Sequence, residues 1–325
     1  MKKNIAVVGC GHWGKNLVRN FYELEVLASI CDPNIDIAKQ YAEKYSVQNQ
    51  SFSEIINNPN IKGVVLAVPA KHHAAMAIDA MKQGKHVFVE KPLAMNEDEA
   101  TLMIKTAKEN KVQLMAGHLL QYHPVFKKVK EIVLSGEIGE IDYIYSNRLS
   151  FGKVRTEEDV IWSFAPHDIS MILSLANQEP ELVTAHTTAI LQDNIADSAI
   201  IHITFQSGLK SHISVSWLHP YKEQKLVVIG KKAMLVFDDT KPWNKKLSIQ
   251  RYQAVINQSS PTLKKDDLEF IKVIEDEPLK NECQHFINVV ENNIKPLTDE
   301  HEGLKVLKVL TAVTQSSLNN QIIKI

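Results

Sequence analysis

The segment Gly9-Cys10-Gly11-His12-Trp13-Gly14 constrains the fold of this chain more than any other. It follows the β-rich run Ile5–Val8, opens a helical pattern, and precedes Asp32 by about twenty residues. In that context the first glycine makes a tight turn, the second admits a pyrophosphate, and the third lets the helix pack against the strand. We therefore predict a dinucleotide site that includes Gly9, Gly11, His12, Trp13, Gly14 and Asp32.

Asp32 distinguishes between the two nicotinamide dinucleotides. Its carboxylate can accept hydrogen bonds from the ribose hydroxyls of NAD and would repel a 2′-phosphate. Pro33 and Asn34 follow, so no arginine is adjacent to bind such a phosphate. We predict NAD as the cofactor. The alternative is a glycine turn of another α/β protein, with Asp32 capping the next helix.

The first 120 residues alternate between short β-rich runs and helical patterns. Continuous apolar strands separated by helices indicate βαβ units and a parallel sheet covered on both faces. Right-handed crossovers then give a doubly wound sheet. We predict an α/β protein in which residues 1–120 form an N-terminal Rossmann domain that binds NAD.

The pattern changes after a helix predicted over Pro124–Leu134. Strands then follow one another, interrupted by one early helix predicted over Pro166–Leu175. The helical patterns Pro278–Asn292 and Thr298–Asn319 close the chain. We predict that residues 121–325 form an α+β domain with a large, mostly antiparallel open sheet that serves substrate binding and oligomerisation. We expect the last helices to pack back on the first domain.

Composition weighs against several classes of function. Lys plus Arg number 37 and Asp plus Glu 38, so the basic excess typical of nucleic-acid binding is missing. The three cysteines, Cys10, Cys31 and Cys283, form neither a disulfide framework nor a C-x-x-C metal pair. No apolar stretch reaches the length of a membrane span or of a signal sequence. We predict a cytoplasmic protein with no metal site and with neither nucleic acid nor membrane as a partner.

Lys91 is the first catalytic candidate. It lies in Glu90-Lys91-Pro92, directly after the apolar run His86–Val89. Ligands of parallel sheets bind at the carboxyl ends of the strands. A partly desolvated lysine there can donate to a substrate hydroxyl and stabilise the alkoxide that forms as hydride leaves. The alternative is a surface lysine paired with Glu90. The Lys91–Pro92 bond is a candidate for the cis form.

His167 is the second catalytic candidate. Pro166 is typical of the first turn of a helix, which predicts His167 at the positive end of the helix dipole. That position favours an uncharged imidazole, which can take the proton of an alcohol. The same dipole favours the carboxylate of Asp168. The alternative is that His167 and Asp168 are ordinary residues at a helix start.

These segments resemble the glucose–fructose oxidoreductase/inositol dehydrogenase (Gfo/Idh/MocA) family. The resemblance is carried by the glycine turn, by Val68-Pro69 with His73, by Gly84-Lys85-His86-Val87-Phe88-Val89-Glu90-Lys91-Pro92-Leu93, and by the His167 segment. It implies a Rossmann domain, a second domain with an open mixed sheet, NAD(P), a sugar-like substrate, and catalytic roles for Lys91 and His167. His73, which we expect to face the cofactor, joins the predicted cofactor site together with Pro69, Glu90 and Lys91.

Within the family, the chain resembles a nucleotide-sugar branch. The segments concerned are Gly117-His118-Leu119-Leu120 with Tyr122-His123-Pro124, Ser146-Asn147-Arg148-Leu149, and Trp162-Ser163-Phe164-Ala165-Pro166-His167-Asp168. Members oxidise the C3 hydroxyl of UDP-N-acetylglucosamine or its uronate to a ketone for a PLP-dependent aminotransferase. The resemblance implies a nucleotide-sugar substrate, that aminotransferase as a functional partner, and a homodimer or homotetramer.

One residue departs from the family pattern. Many members carry an aspartate four residues before the catalytic histidine, and this chain has Ser163 there. A serine can form hydrogen bonds but cannot provide the charge of a carboxylate. We expect His167 to work without that acidic partner. The alternatives are that Asp168 partly replaces it or that catalysis is weak.

The diphosphate of a UDP-sugar requires cations or backbone donors. Arg148, Lys153 and Arg155 form the best local candidate, and a solvated basic loop is an equal alternative. The predicted substrate contacts are Tyr122, Arg148, Arg155, Ser163, His167 and Asp168. Two other functions stay open: a free sugar or polyol dehydrogenase of the inositol type, and a catalytically idle NAD-binding subunit.

Overall fold

The fold is taken from a computed structural model that describes residues 2–152, 154–156, 158–255 and 262–325. The chain divides into two compact units. The first unit comprises Met1–Tyr122 and Glu277–Leu307, and the second comprises His123–Asp276 and Lys308–Ile325. The sequence predicts a boundary near residue 120; the structure divides the chain after Tyr122 and assigns residues 277–307 to the first unit. Lys153, part of the predicted cation cluster, lies outside the described residues.

Strands and helices are numbered in chain order. The strands are β1 Ile5–Val8, β2 Leu27–Cys31, β3 Gln48–Asn49, β4 Gly63–Leu66, β5 His86–Glu90, β6 Leu114–Gly117, β7 Ile141–Phe151, β8 Pro180–Thr188, β9 Ser198–Phe205, β10 Lys210–Ser216, β11 Leu218–Gly230, β12 Ala233–Asp238, β13 Leu247–Val255, β14 Thr262–Lys265, β15 Glu269–Phe270 and β16 Ile323–Lys324. The α-helices are α1 Gly14–Glu23, α2 Ile35–Tyr45, α3 Phe52–Asn57, α4 His73–Lys82, α5 Glu97–Asn110, α6 Pro124–Leu134, α7 Val160–Ala176, α8 Pro278–Asn292 and α9 Glu300–Asn319. In the described parts of the chain, no helix has both the length and the apolar content that crossing a bilayer requires.

The first unit contains a six-stranded parallel sheet. Its strand order is β3-β2-β1-β4-β5-β6, the order of a doubly wound Rossmann sheet, so the predicted fold is confirmed. Every residue of β1 and of β4 is buried, as expected for strands covered on both faces. The order reverses between β1 and β4. Ligands of such sheets bind at the carboxyl ends of the strands near that reversal.

Helix α8 completes the core of the first unit. Its Phe286 ring lies 6.2 Å from the ring of Phe21 and 5.6 Å from the ring of Phe88, both in edge-on geometry. Cys283 and Ile287 of the same helix are also buried in this cluster. Because aromatic side chains bury large apolar areas, this helix contributes much of the stability of the nucleotide-binding unit.

His86 makes the first unit sensitive to acid. Its Nδ1 accepts the backbone N–H of Gln113 at 3.1 Å, and burial lowers the pKa of the imidazole. A lowered native pKa means that the unfolded chain binds the proton more readily. We therefore expect the free energy of unfolding to hold above about pH 6.5 and to fall as the pH drops below that value.

His86→Asn tests this expectation, because the asparagine oxygen can accept the same hydrogen bond without titrating. Urea unfolding between pH 8 and pH 5 should show a shallower fall for His86→Asn than for the wild type. His301→Asn is the matched control, since the side chain of His301 is 60% exposed. Identical pH profiles for His86→Asn and the wild type would contradict the assignment.

The second unit contains an open ten-stranded sheet. Its main order is β14-β13-β12-β11-β7-β10-β9-β8-β16, and β15 pairs with β13. The β7–β10 pair is parallel and the other described pairs are antiparallel, so the predicted mostly antiparallel sheet is confirmed. Helix α7 packs on β7, β9 and β10.

Helix α7 begins earlier than the sequence analysis predicts. It starts at Val160, where the Asp159 carboxylate accepts the backbone N–H of Trp162 at 3.1 Å. Such a cap satisfies a donor that the first helical turn leaves unpaired. Pro166 therefore lies inside the helix, where it cannot donate to the carbonyl of Trp162. The prediction that His167 lies at the positive end of a helix is wrong.

Candidate functional site

The glycine turn has the backbone geometry that its sequence requires. Gly9 has φ +95°, and a Cβ atom there would lie 2.5 Å from the carbonyl oxygen of Ala67. A Cβ atom on Gly14 would overlap the carbonyl oxygen of Gly9. A Cβ atom on Gly11, in contrast, would meet no atom within 4 Å. Gly9 and Gly14 therefore shape the turn, and Gly11 faces open space.

Asp32 is held against this turn. Its Oδ2 accepts the backbone N–H of Cys10 at 2.7 Å, and its Oδ1 accepts that of Asn34 at 2.9 Å. A carboxylate oxygen has a second lone pair, so both oxygens can still accept ribose hydroxyls. The open space over Gly11, the start of α1 at Gly14 and this carboxylate together fit NAD. His12 and Trp13 are exposed on the same turn.

Alanine substitutions at Gly11 and at Gly14 should have opposite effects on NAD binding and on stability. Gly11→Ala should fold with unchanged thermal stability and raise the Kd for NAD by about tenfold or more, because the methyl group occupies the space that a pyrophosphate needs. Gly14→Ala should lower the melting temperature, since its methyl group overlaps backbone. Calorimetric NAD binding and thermal unfolding would measure both effects. Unweakened NAD binding by folded Gly11→Ala would count against the site.

The Lys91 segment is connected to the glycine turn through Glu90. The indole N–H of Trp13 donates to Glu90 Oε1 at 2.5 Å, and the backbone N–H of Lys91 donates to Glu90 Oε2 at 3.3 Å. Burial raises the pKa of Glu90, while Trp13 and the charge of Lys91 oppose that shift. The Lys91–Pro92 bond is cis. Lys91 therefore follows β5 at the carboxyl edge of the sheet, where the sequence analysis expects it.

His73 does not face the cofactor in the way the sequence predicts. Its ring is 1% exposed, with Nδ1 2.8 Å from the carbonyl oxygen of Pro92 and Nε2 2.9 Å from that of Val68. Burial lowers the pKa of the imidazole, the charges of Lys91 and His72 lower it further, and the two carbonyls oppose the shift. The prediction of a direct cofactor contact by the His73 side chain is corrected, because both ring nitrogens face protein. Pro69 is exposed on the segment that His73 holds, and its cofactor role stays a prediction.

A buried carboxyl group next to Glu90 is missing from the sequence-based site. Glu282 of α8 is fully buried, and neither of its oxygens has a hydrogen-bond partner among the described residues. Burial, with the nearby charges of Glu90 and Glu302, raises the pKa of Glu282 well above its usual range. The sequence signal was a glutamate on the apolar stripe formed by Leu279, Cys283 and Phe286.

Helix α7 carries the residues of the second unit that the family pattern singles out. Ser163 is buried and His167 is half-buried, one turn apart on the same helix. The serine therefore occupies the position, relative to His167, at which the family pattern has an aspartate. The substrate contacts predicted for Ser163 and His167, and the catalytic role of His167, stay predictions.

Asp168 and Arg148 bind each other. Arg148 Nε donates to Asp168 Oδ2 at 2.6 Å and Nη2 donates to Oδ1 at 3.2 Å, while the hydroxyl of Ser146 also donates to Oδ1. The side chain of Asp168 is 1% exposed and that of Arg148 is 12% exposed. The predicted substrate contact of Asp168 is therefore wrong, because its carboxylate is buried and already occupied. The substrate role of Arg148 stays a prediction.

The predicted substrate contact of Tyr122 is also wrong. Its side chain is buried in the core of the first unit, and its hydroxyl lies 3.0 Å from Oγ1 of Thr298. A tyrosine placed in this way packs the unit and cannot line a sugar pocket. Arg155, in contrast, is exposed, where its guanidinium pairs with Glu158. Its predicted contact with a diphosphate stays a prediction.

Comparison with known proteins agrees with this geometry. The family model of oxidoreductases with an NAD-binding Rossmann fold (GFO_IDH_MocA) matches residues 3–118. The model of the GFO/IDH/MocA C-terminal domain matches residues 126–236. Together the two matches span more than half of the chain.

Individual relatives are distant. The scyllo-inositol 2-dehydrogenase (NAD(+)) of Bacillus subtilis is 25% identical over 331 residues, covering 97% of this chain and 94% of that protein. The UDP-N-acetylglucosamine 3-dehydrogenase of Acidithiobacillus ferrooxidans is 28% identical over 212 residues, covering 65% of this chain and 66% of that protein. The solved structure of UDP-N-acetylglucosamine 3-dehydrogenase GnnA from A. ferrooxidans shares the fold, with a TM-score of 0.86 at 24% identity over 97% of each chain. With a Rossmann unit that fits NAD and both family models matched in order, the chain belongs to the Gfo/Idh/MocA family of NAD-dependent oxidoreductases.

Proposed function

We propose that this chain uses NAD to oxidise the C3 hydroxyl of a UDP-N-acetylhexosamine, or of its uronate, to a 3-keto sugar. The observation that carries the proposal is the likeness to UDP-N-acetylglucosamine 3-dehydrogenase, which extends over 212 aligned residues at 28% identity. The fold likeness to the solved enzyme, with a TM-score of 0.86, is consistent with it. The segments of the nucleotide-sugar branch in the sequence point in the same direction.

In this proposal Lys91 binds the substrate oxygen. Its ammonium group donates a hydrogen bond to the hydroxyl and stabilises the alkoxide that develops as hydride departs. Lys91 follows β5 at the edge of the parallel sheet where ligands bind, and Glu90 connects its loop to the glycine turn through Trp13. Bound NAD supplies the acceptor for the hydride.

His167 takes the proton of the substrate hydroxyl. A neutral imidazole within reach of an alcohol can act as a general base. The buried pair of Asp168 and Arg148 fixes the helix on which His167 lies. Ser163 offers a hydroxyl at the position where the family pattern has a carboxylate.

Arg155 is the proposed contact for the diphosphate, since its side chain is 43% exposed. A guanidinium can bind two phosphate oxygens at once. Arg155→Ala should therefore raise the KM for a UDP-sugar and leave the KM for free polyols unchanged. An unchanged KM for the UDP-sugar would assign Arg155 to the alternative, a solvated surface loop.

A second candidate is a free polyol dehydrogenase of the inositol type. The observation that favours it is the likeness to scyllo-inositol 2-dehydrogenase, which covers 97% of this chain. The two candidates differ in whether the substrate carries a nucleotide. The same purified protein can therefore be tested against both classes of substrate.

The deciding experiment follows NADH formation from NAD with UDP-N-acetylglucosamine, its uronate, myo-inositol and scyllo-inositol. NADH from the UDP-sugars alone, with a 3-amino sugar after addition of the cognate aminotransferase, is the expected result. NADH from the inositols alone would establish the second candidate. NAD binding without NADH from any substrate would leave the idle NAD-binding subunit.

The proposal includes three further expectations. The aminotransferase is a functional partner, because a 3-keto sugar is its substrate. A homodimer or homotetramer forms through the open face of the second sheet, where Ile200 and His202 are exposed. The protein acts in the cytoplasm, in keeping with its three free cysteines. Light scattering of the purified chain would measure the number of subunits.

A further inference from the structure

We propose that His73 is a positioning residue for Lys91, because its imidazole joins the segment after β4 to the segment after β5. The inference rests on the catalytic role proposed for Lys91. In this role His73 keeps the segment after β4 and the segment after β5 at a fixed distance. It does not contact the cofactor or the substrate.

The two carbonyl groups that His73 contacts lie just beyond paired strand ends. The parallel ladder between β4 and β5 ends at the Leu66–Val89 pair. Val68 follows the end of β4 and Pro92 follows the end of β5. The ring lies 2.9 Å from the first carbonyl oxygen and 2.8 Å from the second. The imidazole therefore connects the two segments where the ladder has stopped.

The ring can hold this position because helix α4 anchors it. His73 is the first residue of α4, and Ala74 and Ala77 of the same helix are buried. The ring itself is 1% exposed, so water does not compete for its two carbonyl partners. A buried carbonyl needs a donor, and His73 supplies one to segments that have left the sheet.

The His73 ring can donate a hydrogen bond to these carbonyls in either protonation state. A neutral imidazole donates to one carbonyl, and an imidazolium donates to both. Burial and the charges of Lys91 and His72 lower the pKa of His73, while the carbonyls of Val68 and Pro92 oppose that shift. In both states the ring donates at least one hydrogen bond to these carbonyls, and a phenyl ring in its place would donate none.

The contact with Pro92 connects His73 to catalysis through the backbone. Pro92 is bonded directly to Lys91, so a shift of the Pro92 carbonyl moves the backbone that carries the proposed catalytic ammonium group. Misplacement of a reacting group by about 1 Å can cost on the order of 10²-fold in rate. We expect loss of the His73 ring to lower kcat by about that factor.

The test measures whether the environment of the Lys91 amine changes when the His73 donor is removed. The lysines of the intact chain are reductively methylated with ¹³C-formaldehyde, and the NMR signal of Lys91 is assigned by its absence from Lys91→Arg. His73→Phe keeps an aromatic ring but has no donor, so the Lys91 signal and its titration midpoint should both move. His72→Phe is the matched control, because His72 is the exposed neighbour and the Lys91 signal should stay in place. A Lys91 signal in folded His73→Phe that coincides with the wild type would overturn the proposal.

A second variant covers the case in which His73→Phe does not fold. His73→Ala leaves a cavity that free imidazole can enter, and imidazole in the buffer should return the Lys91 signal toward its wild-type position. Addition of 1-methylimidazole, which has no N–H when neutral, should not restore it. Failure of imidazole to restore the signal would also overturn the proposal. The NMR measurement does not depend on enzyme activity. If the wild type oxidised none of the tested sugars, the proposed function would be refuted, but the NMR result would still decide whether His73 positions Lys91.

Discussion

Lys91→Met should lower kcat for the substrate that this enzyme oxidises by about 10²–10³-fold. Methionine has a similar length but no charge, so it cannot stabilise the alkoxide that forms as hydride leaves. Loss of one preorganised donor to a developing oxyanion typically costs that much. The nucleotide contacts predicted for the glycine turn and Asp32 do not involve the Lys91 side chain, so the Kd for NAD should change by a few-fold at most.

Steady-state kinetics and calorimetric NAD binding would separate the two effects. A loss in kcat with a near-constant Kd for NAD places the effect in the chemical step. Lys62→Met is the control, because Lys62 is exposed and precedes β4 at the opposite edge of the sheet. A kcat for Lys91→Met within threefold of the wild type would exclude Lys91 from catalysis.

The parallel sheet of the first unit was predictable because its signals are local. Strands covered on both faces must be apolar throughout, and the sequences of β1 and β4 contain no polar side chain. The glycine turn joins one strand to one helix, so its geometry depends on a few consecutive residues. Short or exposed strands lack such a local signal. β3 is the dipeptide Gln48–Asn49 and β14 is exposed throughout, so neither shows an apolar alternation.

The start of the helix that carries His167 is predicted at the wrong residue. The sequence pattern places the helix start at Pro166. The structure uses Asp159, because the apolar run that it caps extends the buried face of the helix over the sheet. A proline inside a helix is tolerated where burial of apolar side chains outweighs one lost hydrogen bond.

Pairings between distant residues could not be read from the sequence. Arg148 and Asp168 each looked like a substrate contact, and the structure places them together in the interior of one unit. His73 looked like a cofactor contact, and it bonds to two protein carbonyls. A polar side chain near a motif has several partners of similar chemistry, and tertiary packing decides between them.

Arg148→Met should lower the free energy of unfolding of the second unit by about 3–5 kcal/mol. The substitution keeps most of the side-chain volume but leaves the buried carboxylate of Asp168 without its cation. An uncompensated charge in the interior costs far more than the ion pair itself contributes. Urea unfolding followed by tryptophan fluorescence would measure the change, since three of the four tryptophans, Trp162, Trp217 and Trp243, lie in the second unit.

Arg251→Met is the matched control, because Arg251 pairs with Glu137 and Glu269 at the surface and is 44% exposed. Its substitution should cost at most about 1 kcal/mol, as is typical of exposed ion pairs. Arg148→Met combined with Asp168→Leu should recover part of the loss, since the double variant buries no lone charge. Equal costs for Arg148→Met and Arg251→Met would mean that the buried pair does not fix α7, and the position of His167 would then need another explanation.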